Sequence, residues 1–362
     1  MHKKTLILFP LCVLLLAVVS SLAAGGAEDS MVSLSYLEGA FSDAVDSRVE
    51  RELDASDAVL LAGADTGTGV PAGTANGWAE TRLKQADSLL GSTGVSALLL
   101  AGQGQVTYAS GAVVDATAGT VAPSGTFLQA NHRYIVAENT SAAFTITSKT
   151  AVLDHQGGSL AYSNAIDYNA MAAALKTMHL FKGSFTGYGQ GFDLEAAPTR
   201  LQALIMFIRV LGEEEQALAW TGTTPFTDIQ KGSQAEKYVG YAYSKGYTNG
   251  WSATQFKPAG AVNARQYTEF VLRAMGYSSS ANTNLANTLD RAQAAGVLTA
   301  GEVEMLRRDK FLRAELVYVS YYALEAWLAD GSQTLADLLR EKGVFTSQEW
   351  ENARAMVTGW RL

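Results

Sequence analysis

The stretch that decides the reading runs from Phe226 to Gly276. It holds FTDI at 226–229, AEKYVGYAYSKGY at 235–247 and NARQYTEFVLRAMG at 263–276. An acidic turn, an amphipathic helix closed by glycine, a Gly/Asn/Pro-rich loop and a second helix follow one another, with degraded copies on both sides. A unit of this length in tandem predicts a modular binding array ahead of any catalytic domain.

The second helices set the register of three units. Leu204, Ile208 and Leu211 correspond to Thr268, Leu272 and Met275, and to Val317, Tyr321 and Leu324. Spacing of four then three places each triad on one buried stripe. The first helices are MAAALKTMHLFKG (171–183), AEKYVGYAYSKG (235–246) and LANTLDRAQAAGVL (285–298), each stopping at or near a glycine.

The second unit resembles an S-layer homology (SLH) domain, whose pattern is an FxD start, a WA-containing first helix, a GYxxGxxxxxFxP loop and a TRAE-like start to the second helix. Phe226, Asp228, Ala235, Gly246-Tyr247, Gly250 and Phe256-Lys257-Pro258 carry the resemblance. The first unit adds Gly187-Tyr188-Gly189-Gln190-Gly191 and Thr199-Arg200-Leu201-Gln202, and the third adds Leu312-Arg313-Ala314-Glu315. The resemblance implies three units closed into a pseudo-threefold trimer, with acidic, commonly pyruvylated, wall polysaccharide in the grooves between them. Arg200 and Arg313 would then meet the ligand carboxylate, with Gln202, Glu315, Asp228, Tyr188, Tyr247 and Arg265 contributing to the binding surface.

The chemistry of such a site is legible from the residues themselves. Thr199 is an N-cap and Arg200 opens the helix, so its guanidinium projects where free N–H groups and the macrodipole already favour an anion. The sequence also departs from the pattern. Ala264 stands at the motif arginine of the second unit, with Arg265 displaced by about 100 degrees around the helix. Gln234 replaces the usual tryptophan. The third unit has no Gly-Tyr loop, and LTAGEVEMLRRDKF (298–311) reads as a charged connection carrying Arg307, Arg308 and Lys310. Tyr238, Tyr241, Tyr243 and Tyr247 divide between helix faces, so most are expected in the core or at its rim.

Ahead of the array the pattern changes. From 79 to 157, SALLLAG, QVTYASG, GAVVDA, RYIVAE and AAFTITS are short strand runs separated by turn residues, which predicts a small all-β sandwich, roll or barrel. Asn131-His132 reads as a turn. His132 and His155 have no partners at metal-ligand spacing, so no metal or cofactor is expected. Residues 57–78 are Gly/Thr/Ala-rich and read as a linker. Within 31–56, Leu34, Leu37, Phe41, Val45, Val49 and Leu53 share a helical face, which serves either packing or self-association. Lys3 and Lys4, the apolar run Leu6–Val19 and small residues to Ala27 have the order of a secretory signal cleaved near Ala23 or Ala24, giving a signal peptide over 1–24. The apolar run is short for a bilayer span of about 20 residues. Cys12, the one cysteine, would leave with it.

The fold class is therefore multidomain: a β-rich module followed by an all-α array, with units at 165–220, 221–280 and 281–357. With 362 residues, 48% hydrophobic and 17% charged, more than one core can form. A net charge of -8 argues against nucleic-acid binding, which needs clustered cations. No GxSxG, HExxH or phosphate-loop pattern is present, and Glu213 to Glu215 are consecutive rather than convergent, so an enzyme is not expected. The reading is an exported protein of the cell wall or S-layer surface, held noncovalently on anionic secondary cell-wall polysaccharide and displaying a β-rich module, with no membrane contact after processing; a homo-oligomer through the 31–56 helix stays open beside packing of that helix on its own domain. The alternatives are a self-assembling surface protein with degenerate repeats, or a wall hydrolase with its site in the β region.

Overall fold

A computed structural model describes residues 77–186, 189–278 and 285–362. The expected signal peptide, the 31–56 helix and nearly all of the linker lie outside the described residues, as does Tyr188.

Eleven strands form two antiparallel sheets. They are β1 (Ala79–Lys84), β2 (Ser88–Gly91), β3 (Ser96–Ala101), β4 (Gly104–Tyr108), β5 (Val113–Asp115), β6 (Thr120–Ala122), β7 (Thr126–Phe127), β8 (Arg133–Val136), β9 (Ala142–Ile146), β10 (Thr150–Gln156) and β11 (Ser159–Ala161). One sheet has the order β1-β10-β3-β8-β5-β6 and the other β11-β2-β9-β4-β7. Burial alternates along β9, which puts Ala142, Phe144 and Ile146 inward. Leu83, Leu99, Tyr134 and Leu153 from the first sheet meet Leu89, Val106, Phe144 and Ile146 from the second in one core, so the expected β module is a sandwich. It runs to Ala161, four residues past the sequence boundary, because β11 pairs with β2. Asn131 takes a left-handed φ of 64°, as its turn position requires.

The helices are α1 (Tyr168–Thr177), α2 (Arg200–Val210), α3 (Glu214–Leu218), α4 (Gln234–Ser244), α5 (Ala264–Ala274), α6 (Thr288–Ala294), α7 (Ala300–Arg308), α8 (Arg313–Ala323), α9 (Leu335–Glu341) and α10 (Ser347–Met356). Thr199 and Gln202 form a capping box on α2, and Asn263 and Gln266 do so on α5. Second helices α2, α5 and α8 touch one another, and each first helix lies on the second helix of a neighbouring unit: α4 on α2, α6 on α5, α1 on α8. The expected stripe residues Leu204, Ile208, Thr268, Leu272, Val317 and Tyr321 are all buried where these helices meet.

Three expectations are corrected. The array is not wholly helical, since β12 (Ser184–Thr186) and β13 (Gly189–Gly191) make a hairpin in the first unit. The 298–311 connection is largely helix α7, because Thr299 and Glu302 box its start and Val303, Met305 and Leu306 bury one face. The third unit is also more than helix-loop-helix, since α9 and α10 follow α8 and α10 packs on α1.

Sandwich and array are joined in one compact unit. Lys149, in the β9–β10 turn, places its ammonium 2.7 Å from Asp309 and bonds the buried Glu315 at the start of α8. Ser163 donates its N–H to Asp87 at 2.7 Å, fixing the crossing between the two parts.

Candidate functional site: a cationic cleft between the first two units

Arg200 is placed by backbone contacts that cross from the first unit to the second. Its N–H donates to the Gly260 carbonyl at 2.7 Å, and that of Leu201 to Pro258 at 3.1 Å. The FKP loop receiving them is held by Asp228, whose two carboxylate oxygens accept from the N–H groups of Phe256 (2.9 Å) and Lys257 (2.7 Å). The FxD start of the unit is thus a clamp on its own loop.

The guanidinium of Arg200 then lies over Phe256 and Phe270, at 5.1 and 5.7 Å from their centroids, and donates from Nη2 to the Gly250 carbonyl at 3.1 Å. Its Nε is buried without a hydrogen-bond partner, and it makes no ion pair among the described residues. Burial, with Arg273 nearby, lowers its pKa to about 10, so it remains charged at neutral pH with little compensating charge. Gly250 can present its carbonyl only because it is glycine: φ is +77°, and a Cβ would stand 2.2 Å from Phe226 Cε1.

Beside this arginine opens a cleft of about 380 Å³. One wall is the loop Thr248–Ala253, and the other is the α5 face carrying Gln266, Glu269, Phe270 and Arg273. Glu269 is buried and held by Arg273 at 3.1 Å and Arg291 at 2.5 Å, so the cleft keeps a net positive lining. At its mouth Trp251 is 56% exposed, with the Lys257 ammonium 4.2 Å from its ring centroid. An arginine with spare donors, an exposed aromatic face and an amide side chain suit a ligand with both a carboxylate and a sugar-like apolar face.

The other residues expected at the site have different surroundings. Arg313 donates to Asp193 at 3.0 Å. Glu315 is buried at the start of α8, accepting from the Leu312 N–H at 2.6 Å and from Lys149. Gln202 accepts from the Thr199 N–H at 3.0 Å as half of the capping box. Tyr247 points inward, donating to Glu213 at 3.0 Å with its ring edge-on to Phe207. Arg265 is exposed while Ala264 is buried. The geometry thus brings Arg200 to the cleft directly and Asp228 through the loop it clamps, whereas Glu315 and Tyr247 have their polar atoms engaged within the protein and Gln202 commits its Oε1 to the capping box. Trp251, Gln266, Glu269 and Arg273 were not singled out from sequence. The adjacency of Trp251 to the loop glycine was the available signal.

Helix-loop-helix units whose helix starts and loops meet at a cation-lined cleft make up a repeat-built module. Residues 225–263 match the family model of the S-layer homology domain, so this is an SLH domain-containing protein. That domain implies a location at the cell surface or cell wall and an anchoring role there. No curated protein matches the chain, and among the described residues no helix is long and apolar enough to cross a membrane.

Proposed function

We propose that this protein is exported and held noncovalently on an anionic, carboxylate-bearing secondary cell-wall polysaccharide through the Arg200 cleft. The observation that carries the reading is the buried guanidinium, with no carboxylate partner among the described residues, beside an exposed tryptophan. A ligand carboxylate there gains charge-assisted bonds of about 1.5 to 3 kcal/mol each. It also relieves the desolvation that Arg200 already bears. The cyclic packing of α4 on α2, α6 on α5 and α1 on α8 supports a pseudo-threefold arrangement of the units.

The protein acts by binding rather than catalysis in this reading. Glu269, the carboxylate lining the cleft, is held by two arginines and a threonine hydroxyl, which suits a fixed counter-charge better than proton transfer. The sandwich is carried as a rigid attachment, since Lys149 ties it to α8.

The test is retention of the purified protein on wall sacculi before and after hydrofluoric acid removes the secondary polysaccharide. Retention lost on stripping is expected. Equal retention on stripped walls, or none on intact walls, would overturn the reading.

A further inference from the structure

The two arginine-bearing helix starts are related residue by residue through their backbone hydrogen bonds. Arg200 and Leu201 donate to Gly260 and Pro258, while Arg313 and Ala314 donate to Ala196 (2.9 Å) and Leu194 (3.1 Å). Phe256-Lys257-Pro258 in the second unit therefore corresponds to Phe192-Asp193-Leu194 in the first. The middle residues share an uncommon conformation, with φ of 60° at Lys257 and 52° at Asp193. One backbone position thus carries opposite charges at the two grooves.

The consequence differs at each arginine. Lys257 stacks on Trp251 at the mouth of the Arg200 cleft and adds positive charge there. Asp193 turns onto Arg313 and bonds it at 3.0 Å, where a ligand carboxylate would otherwise sit. The sandwich also presses on this second groove. The Arg82 guanidinium lies so near Gly191 that a Cβ there would be 2.2 Å from Nη2. Thr150 hydrogen-bonds Glu195, and Lys149 grips Asp309 and Glu315.

We infer that Asp193 is the residue that closes the Arg313 groove, acting as an internal counter-ion under the sandwich, so that the chain takes one anionic ligand, at Arg200. This rests on the reading of the Arg200 cleft as the polymer site. An entering carboxylate at Arg313 must displace Asp193 and gains no net charge pairing in doing so. At Arg200 no such exchange is needed.

The experiment is calorimetric titration of the full chain with a hexosamine methyl glycoside carrying a pyruvate ketal. Wild type is expected to bind one equivalent. Arg200→Ala should lose that binding by tenfold or more, and Arg313→Ala should keep it within twofold. Asp193→Lys, which copies Lys257 in the same backbone conformation, should add a second equivalent, and Asp193→Lys with Arg200→Ala should bind one. Two equivalents on wild type, or one on a folded Asp193→Lys chain, overturns the inference while leaving the anchoring reading intact. No binding by wild type overturns both.

Discussion

Arg200 donates to the carbonyl of Gly250 at 3.1 Å across the join between the first and second units, and the arginine is held there by the second unit's loop, through Gly260 and Pro258. The bond leaves the rest of the guanidinium turned to the cleft, over two phenylalanine rings and without a carboxylate among the described residues.

Its lowered pKa makes anion binding pH-dependent in an unusual range. Arg200 is charged below about 10 and neutral above. Affinity for a carboxylate ligand should be flat through neutral pH and fall as pH rises through that value. Titrations of wild type and Arg200→Ala at pH 7, 9 and 10.5 check this: the substitution should make the fall shallower and cost about 10- to 100-fold of affinity at neutral pH, the equivalent of about 1.5 to 3 kcal/mol, and an equally steep fall in both would contradict the Arg200 account.

Trp251→Ala separates binding from folding. The ring is more than half exposed, so unfolding stability should change by less than about 0.5 kcal/mol. Retention on walls should drop about fivefold or more if the ring stacks on a sugar, at about 1 kcal/mol for an aromatic contact. Unchanged retention would exclude the stacking role.

Gly250→Ala should destabilise by two additive routes. A non-glycine residue at φ +77° costs about 1 to 2 kcal/mol, and the clash with Phe226 adds about 1 to 3 kcal/mol of overpacking. Gly232→Ala is the control, since φ there is +76° and a Cβ meets nothing within 4 Å. The difference between the two urea midpoints isolates the clash, and equal midpoints would show that Phe226 yields.

Lys149→Met should loosen the sandwich from the array. Glu315 is only 1% exposed and would lose its cation; with Lys149 itself partly exposed, a loss of about 2 kcal/mol is expected. Burial opposes the charge on Asp309, but Arg308 and Lys149 together outweigh it and hold its pKa below the usual carboxylate value. A carboxylate held low contributes stability above its unfolded pKa, about 3.9 for Asp, and that contribution is lost as pH falls through the folded value. The stability gap between wild type and Lys149→Met should therefore narrow below about pH 4. A gap that widens in acid would contradict the ion-pair account.

Much of the framework could be read from local signals. The Thr199 cap, the glycine stops at Gly246 and Gly296 and the four-then-three stripes act within one or two turns of chain, and they appear as expected, whereas α1 ends at Thr177, ahead of Gly183, with His179 taking a left-handed φ of 62°. Helix α7 was missed although its Thr299–Glu302 box stood in the sequence, because the charged run Arg307, Arg308 and Lys310 drew the segment towards a loop.

What the sequence determined by itself was the β-then-α order of the chain, the register of the buried stripes on the second helices and the presence of an arginine at two helix starts. Only the tertiary structure decided what those arginines face. Arg200 meets a carbonyl 50 residues away and an open cleft, whereas Arg313 meets a carboxylate 120 residues away and Glu315 a lysine 166 residues away. Periodicity and capping are short-range and therefore legible along the chain. Charge compensation falls off with distance in space, so it is fixed only once the chain has brought its distant side chains together.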